Sequence, residues 1–451
     1  MRRSFLLLTL LLLASILPAP PAAWGNPEVP GAPQDHPVAL VGGTVHPVSG
    51  PAIENAIVLF EGGKISAVGA DVAIPDDAQR VDVRGKHVYP GLIDANSQLG
   101  LVEVSSVRGS VDSAETGLIN PNVKAEVAVN PDSELIPVAR SGGVLAVLTV
   151  PSGGLITGTS ACTVLDGWTW EDMCLQPAVG LHISWPRMQP LEAWWIEESA
   201  DDQISTRDRA LKTIRQAFAD ARAYRAAKRA RADDPNAAPE HDARWEAMMP
   251  VLDGTLRVFI EAEDIQQIQA ALAFAEQQGV KPVIVGGYDA AECVPLIKKL
   301  GAQVIVGGVH RTPQRRHDAY DSAFTLPERL RAAGVPFCIG GVMGGSSGSS
   351  SSNARNLPDH AGTAAAHGLP ADEALKAITL YPAQILGVAD RLGSLEPGKD
   401  ATLIVADGDI LEIPTQVSAA YIRGAECTLM DRHKRLWEKY KEKYRRQGVE
   451  N

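Results

Sequence analysis

The chain is poor in several residue types, and each scarcity excludes a class of protein. Only 5% of its 451 residues are aromatic, and 42 Lys and Arg face 54 Asp and Glu, for a net charge of −12. Nucleic-acid binding needs clustered positive charge, so we expect no nucleic-acid partner. The only long apolar run lies at residues 5–17 and is shorter than the roughly 20 residues that span a bilayer. The chain is therefore not a polytopic membrane protein.

The amino terminus has the pattern of a secretory signal peptide. Arg2 and Arg3 precede the apolar run, and Ala23-Trp24-Gly25 follows it with small residues at a cleavage site. We predict a signal peptide over residues 1–25, a Pro/Gly-rich leader over 26–36, and a secreted, periplasmic protein with no membrane contact after cleavage. The alternative, an uncleaved anchor, is disfavoured by the shortness of the run.

Cysteine is also scarce, at five residues, and no CxxC or Cys/His zinc spacing occurs. Export would place these thiols in an oxidising compartment. Cys162 and Cys174 flank the turn pair Asp166-Gly167, so a disulfide across a hairpin is one possibility. Cys293 and Cys338 stand in apolar runs and are expected to be buried thiols.

Hydrophobic patterning divides the chain into β-rich ends and an alternating β/α body. Short strand-like runs punctuated by glycine fill residues 37–89, and the same texture returns over 392–426. Residues 90–391 alternate short apolar runs with helical stretches, which is typical of a parallel barrel. The pattern predicts an α/β protein in which a (β/α)8 barrel carries a discontinuous domain built from both chain ends.

A charged helix is predicted over residues 427–451. Leu436, Trp437, Tyr440 and Tyr444 recur in it at a spacing of three to four. We expect this stripe to dock on the body of the protein rather than to bind a membrane.

Two motifs carry a family resemblance. The first is Tyr89-Pro-Gly-Leu-Ile-Asp-Ala95, and the second runs from Ala374 through Tyr381-Pro382 to Gly398-Lys-Asp-Ala401. Together they resemble the amidohydrolase superfamily, in its imidazolonepropionase-like branch, over residues 38–426. The resemblance implies a (β/α)8 barrel with a composite β-sandwich, and a hydrolase with one or two divalent metals such as zinc at the barrel mouth.

The resemblance also implies a ligand set: His-x-His after strand 1, a His after strand 5, a His after strand 6 and an Asp after strand 8. This sequence departs from that set at every position, which we match to Asn96, Gln98, Glu261, Gly286 and either Gly341 or Val342. Amides are weak ligands for zinc-like metals and glycine offers no side chain. We therefore expect no metal cofactor.

Other chemistries remain open for these residues. Asn96, Gln98, Glu261 and Glu263 carry oxygen donors, which suit calcium or magnesium. Glu263 is two residues after Glu261, so the two carboxylates could form an acid/base pair. His310 follows a strand-like run and could bind at the mouth. The simplest alternative is that these groups satisfy one another by hydrogen bonds.

Two functions follow. The first is a non-catalytic or strongly impaired homologue that serves as a binding or partner subunit, paired with an active amidohydrolase paralogue or with a second copy of itself. The second is an active hydrolase of carbon–nitrogen bonds with an atypical carboxylate site built on Glu261 and Glu263.

Overall fold

A computed structural model describes residues 28–230, 240–341 and 349–448. The predicted signal peptide and Val342 lie outside these residues. Within them, every helix is too short or too polar to cross a membrane.

Both ends of the chain contribute to one eight-stranded sheet. Its strands are β1 (Val38–Val45), β2 (Ile53–Glu61), β3 (Lys64–Gly69), β4 (Gln79–Asp82), β5 (His87–Pro90), β14 (Leu403–Ala406), β15 (Val417–Ile422) and β16 (Ala425–Cys427). The order is β16-β15-β14-β5-β1-β2-β3, with β4 paired to β1. The predicted composite domain of both chain ends is thus present.

This sheet curls over a small core of its own. The β2–β3 turn uses Gly62 and Gly63 at positive φ, as a tight hairpin requires. The amide of Ile65 then donates to the carbonyl of Lys399 at 2.9 Å, which joins β3 to the segment before β14. Buried apolar side chains from strands of both chain ends, including Phe60 and Tyr421, fill the inside.

The second sheet is an eight-stranded barrel that is nearly closed. Its strands, in spatial and chain order, are β6 (Leu92–Ser97), β7 (Val144–Thr149), β8 (Ile156–Val164), β9 (Cys174–Ser184), β10 (Arg257–Ala262), β11 (Pro282–Gly286), β12 (Gln303–Gly307) and β13 (Phe337–Gly340). The predicted TIM-like barrel is confirmed.

One strand departs from parallel order, because β8 runs antiparallel to both β7 and β9. Only six residues, 150–155, separate β7 from β8, whereas a parallel connection needs a dozen or more. Gly153 and Gly154 in this loop have φ values of 82° and 76°, so the tight turn depends on glycine.

The barrel closes between β13 and β6 through a short intervening segment. The amide of Ile339 donates to the carbonyl of Ala377, and the amide of Ile93 donates to that of Ile378, both at 2.9 Å. Residues 377–378 therefore fill the seam between the first and last strands.

Twelve α-helices surround the sheets in the described residues. They are α1 (Leu135–Ser141), α2 (Trp170–Met173), α3 (Ala200–Ala230), α4 (Ala243–Leu252), α5 (Ile265–Gln278), α6 (Val294–Leu300), α7 (Ser322–Ala332), α8 (Ser349–Asn353), α9 (Leu357–Ala366), α10 (Ala371–Lys376), α11 (Leu380–Leu386) and α12 (Arg432–Arg446). Short 3-10 turns lie at Arg108–Ser110, Ala125–Ala128, Ala290–Cys293 and Ala354–Asn356.

The possible disulfide between Cys162 and Cys174 is wrong, since all five cysteines are free. The β8–β9 register pairs Cys162 with Gln176 and Cys174 with Thr163, so the two cysteines are not opposite each other. Cys293 and Cys338 are buried thiols, as expected.

The stripe on α12 does not dock on the body as expected. No residue of this helix is buried, and Leu436, Trp437, Tyr440 and Tyr444 are all exposed.

Candidate functional site

The candidate site lies where the parallel barrel strands end. Strands β9 to β13 are parallel neighbours, so their carboxyl-terminal residues meet at one end of the barrel. Gly341, just after β13, contacts Asn96 near the end of β6, so the first strand ends there too. We call this end the barrel mouth. Enzymes with this fold place their chemistry at this end.

Asp94 and Asn96 form hydrogen bonds across the junction between β6 and β13, just beneath the mouth. The Asp94 carboxylate is fully buried and accepts the backbone N–H groups of Asn96 at 3.0 Å and Gly341 at 2.6 Å. The Asn96 amide donates to the Gly341 carbonyl at 3.2 Å. Burial raises the pKa of Asp94 to about 7, although the two N–H donors oppose that rise. These side chains tie β6 to β13.

Gly341 stands where the strand-8 aspartate was expected, and the site has no room for a side chain. A Cβ atom there would lie 2.6 Å from the backbone oxygen of Asn96 and 2.9 Å from Oδ2 of Asp94. Backbone atoms of a closed barrel cannot move aside cheaply. Gln98, the second position of the missing His-x-His, is buried in the turn after β6, where its carbonyl accepts the amide of Leu101.

Gly286, the strand-6 position, is crowded by a carboxylate. Its φ of 98° suits glycine alone, and a Cβ atom would lie 2.7 Å from Cδ of Glu263. The Glu263 carboxylate therefore occupies the space that a histidine at this position would need.

Three donors hold Glu263 in that place. Arg311 pairs with both carboxylate oxygens at 3.0 Å, and the amide of Tyr288 donates to Oε2 at 3.1 Å. The guanidinium also lies 5.4 Å from the centre of the Tyr288 ring, within cation–π range. The cation beside the Glu263 carboxylate is therefore Arg311, a residue of this chain.

Glu261 is the candidate-site carboxylate that reaches solvent. Its Oε2 accepts the hydroxyl of Ser184 at 3.2 Å, since β9 and β10 pair these residues in register. The walls of the mouth remove much of the surrounding water, and this desolvation raises the pKa of Glu261, with a further rise from the negative charge of Glu263. Both carboxylates thus lie at the barrel mouth, and Glu263 acts on Glu261 through its charge.

His310 does not join these carboxylates. Its Nε2 lies 2.7 Å from Oγ1 of Thr363 on α9, and its ring stacks obliquely on His360, 4.3 Å between ring centres. The buried His360 accepts the backbone amides of Val309 and His310 at 3.3 Å. Burial lowers the pKa of His360 to about 4, so it is neutral at pH 7. This histidine pair fixes the loop after β12 to α9.

The mouth does not fit the metal of the resembled family. In residues 28–230, 240–341 and 349–448 no group of three His, Cys, Asp or Glu side chains could hold a metal ion. The sequence of residues 342–348 contains none of these four residue types. At the positions matched to the family's metal ligands, the described residues are glycine or carry a side-chain amide, apart from Glu261.

Sequence reasoning missed three residues of the mouth. Asp94 stands inside the quoted motif, and its burial between two apolar residues signalled a structural carboxylate. Arg311 directly follows the candidate His310, and Tyr288 follows Gly286 by two residues. Arg311 and Tyr288 contact Glu263 because the segments that follow β10, β11 and β12 lie side by side. No local sequence pattern reveals that packing.

Comparison with known proteins finds similarity to amidohydrolases. The amidohydrolase family profile matches residues 271–429. An amidohydrolase from Thermotoga maritima is similar in structure, with a TM-score of 0.76 and 26% identity, covering 88% of this chain and all of that one. A structure of molinate hydrolase shares the fold, with a TM-score of 0.53 and 14% identity over 88% of this chain and 96% of that one.

A curated relative, amidohydrolase tasK of Hapsidospora irregularis, is 25% identical over 413 residues. The match covers 80% of this chain but 39% of the relative, so the chain spans about two fifths of that protein's length.

Proposed function

Because this chain belongs to the amidohydrolase superfamily while its barrel mouth lacks a ligand set, we propose that it is a metal-free, non-catalytic homologue. Its role would be that of a binding or partner subunit, and it would act after export to the periplasm. The partner would be an active amidohydrolase or a second copy of this chain.

One observation carries this proposal: the side-chain space at two ligand positions is filled. Glu263 takes the space beside Gly286, and Asp94 and the Asn96 backbone take the space beside Gly341. A single lost ligand can be replaced by a neighbour. Here the neighbours already bind one another, through the Glu263–Arg311 pair and the Asp94–Gly341 hydrogen bond.

Water activation supplies the second argument. Hydrolysis of an amide at neutral pH needs a metal-bound water or a positioned general base. Glu263 is held by Arg311, which directs its carboxylate into an ion pair.

A second candidate function rests on Glu261. Its carboxylate is exposed to solvent, its pKa is raised, and Glu263 lies nearby, which are the properties of a general acid. In that case the chain would be a metal-independent hydrolase of carbon–nitrogen bonds, with Glu261 donating a proton to the leaving nitrogen.

An assay of hydrolysis with cyclic amides and dipeptides separates the two functions. The protein is incubated with zinc or manganese, or with a chelator, and the substrates are followed by chromatography. The proposal predicts no turnover under any condition, and co-purification with an amidohydrolase or self-association instead. Turnover that the metal increases and the chelator removes would contradict it.

Metal-independent turnover would favour the second candidate, and Glu261→Gln should then abolish it. Ser184→Ala, which removes the hydrogen bond to Glu261 and leaves the carboxylate, is the matched control and should shift the pH profile only.

A further inference from the structure

The carboxyl-terminal helix α12 concentrates positive charge in an otherwise acidic chain. Residues 432–446 contain eight Lys and Arg but two Glu, which leaves 34 basic and 52 acidic residues in the remainder. The distal Lys439, Lys441 and Lys443 place their ammonium groups over aromatic rings of the same helix, between 4.4 and 5.8 Å from the ring centres.

The helix is attached to the body near its amino-terminal end. The Asp431 carboxylate caps it by accepting the amide of Lys434 at 2.9 Å, and also accepts the hydroxyl of Ser141 at 2.8 Å. Arg435 forms an ion pair with Glu134. Within residues 28–230, 240–341 and 349–448, residues 436–446 form hydrogen bonds and ion pairs only inside the helix.

The apolar side of α12 faces away from this attachment. At 100° per residue, Leu436, Trp437, Tyr440 and Tyr444 fall within an arc of about 100°, and Arg435 lies on the far side of the helix. The four side chains are 40%, 59%, 46% and 42% exposed. We call this arc the aromatic stripe. It is an apolar surface bordered by lysines, and the body leaves it uncovered.

We propose that α12 binds the surface of a membrane that contains anionic lipid, with the aromatic stripe inserted at the headgroup level. Trp and Tyr favour the membrane–water interface because each ring has an apolar body and a polar edge. Lys and Arg on the flanks reach lipid phosphates while their stems cover apolar surface. A strongly amphipathic helix with so many charged residues lies in the interface rather than crossing it.

Charge complementarity favours a bilayer over a second copy of the chain. A symmetric dimer through the aromatic stripe would place two strongly basic helices side by side, and their like charges would repel. An anionic surface instead attracts Lys439, Lys441 and Lys443, which border the stripe. The acidic body, anchored on the opposite side of the helix, remains in water.

Vesicle flotation tests the proposal on the chain from residue 26, because residues 1–25 contain the apolar run of the predicted signal peptide. The vesicles contain phosphatidylcholine alone or equal parts of phosphatidylcholine and phosphatidylglycerol. We expect flotation with the anionic vesicles, a loss of binding at high salt, and at least about tenfold weaker binding to neutral vesicles.

Two variants of α12, each with a matched control, test whether this helix in particular causes the binding to vesicles. Trp437→Ala/Tyr440→Ala and Lys439→Gln/Lys441→Gln/Lys443→Gln should each weaken binding by at least about tenfold. The control for the first is Trp168→Ala, an exposed tryptophan beside acidic residues. The control for the second is Lys212→Gln/Arg215→Gln/Arg229→Gln on the exposed side of α3. Both controls should float like the unmodified chain.

The thermal unfolding of all variants should be unchanged, because α12 has no buried residue. Equal flotation of the stripe variant and its control would overturn the proposal. So would self-association that is independent of vesicles and lost in Trp437→Ala/Tyr440→Ala, since a second copy would then cover the stripe.

Discussion

The barrel mouth and the helix α12 are both rich in charge, but they use it in opposite ways. At the mouth Glu263 pairs with Arg311, and Oδ1 of Asp94 accepts two backbone N–H groups. Among the described residues, Oδ2 of Asp94 has no hydrogen-bond partner, and Glu261 accepts the hydroxyl of Ser184. On α12 most charges have one sign, and the aromatic stripe beside them is exposed.

The two regions therefore differ in their remaining capacity to bind another molecule. An active site must keep groups unsatisfied until the substrate or metal arrives, which costs stability. Glu263 does not meet that condition, because it is paired with Arg311 and lies against Gly286. The helix retains it along the aromatic stripe, whose four side chains are at least 40% exposed.

Titration of Asp94 is the largest effect expected at the mouth. Its pKa is raised from 3.8 to about 7, so the folded state favours the protonated form. The stability that this proton provides is present in full below about pH 4 and is lost as the pH rises through 7, a change of about 4 kcal/mol. Asp94→Asn should remove this part of the pH dependence in urea unfolding between pH 4 and 8.

The control for that experiment is Asp77→Asn, at an exposed position. It should keep the pH dependence of the unmodified chain. A similar pH dependence in Asp94→Asn and the unmodified chain would mean that Asp94 is charged in the fold and that the seam is not desolvated.

Crowding beside Gly286 gives the next effect. Gly286→Ala should lower the free energy of unfolding by about 3 kcal/mol, because it combines a φ of 98° with a clash against the held Glu263 carboxylate. Gly301→Ala is the matched control: its φ is 59° and no atom lies within 4 Å of the added Cβ. It should cost about 1 kcal/mol. Equal losses would show that the space beside Gly286 is free for a ligand side chain.

Loss of the ion pair is a smaller change. Arg311→Met leaves Glu263 without its cation in a partly buried place and should destabilise the fold by about 2 kcal/mol. Arg329→Met, which breaks an exposed pair with Glu292, should cost less than about 0.5 kcal/mol. Chemical unfolding at low and high salt measures both. If Arg311→Met lowered the free energy of unfolding no more than Arg329→Met does, the Glu263–Arg311 pair would be no stronger than an exposed surface pair.

The smallest expected effect is on activity. Asn96→His/Gln98→His restores the missing His-x-His pair but should produce no metal-dependent hydrolysis, because Gly286 and Gly341 still lack side chains. The assay is the same panel of cyclic amides and dipeptides with added zinc. Chelator-sensitive turnover in this variant would show that the rest of the site is competent.

The architecture could be predicted from the sequence because local hydrophobic patterns indicate its strands. Short apolar runs predicted the barrel strands, and the motif around Gly91-Leu92 located the first of them. The reversal of β8 was missed, since periodicity gives a strand's presence but not its direction; the short loop with Gly153 and Gly154 was the available signal.

The candidate site could be predicted only in part from the sequence. The absence of ligands at Gly286 and Gly341 could be read from residue types, but what fills the space could not. The Glu263–Arg311 pair joins residues 48 positions apart, and the exposure of Trp437 depends on which side of α12 meets α1. Such facts depend on tertiary packing, which spacing along the chain does not encode.

Metal analysis determines whether the barrel mouth holds an ion. The protein, produced in medium supplemented with zinc and manganese and purified without chelator, is analysed by mass spectrometry for bound metals, and zinc is then titrated into it by calorimetry. For a metal-free mouth we expect far less than one metal ion per chain and no saturable zinc binding there. A stoichiometric metal that is lost in Glu261→Gln but kept in Glu276→Gln, an exposed control, would contradict it.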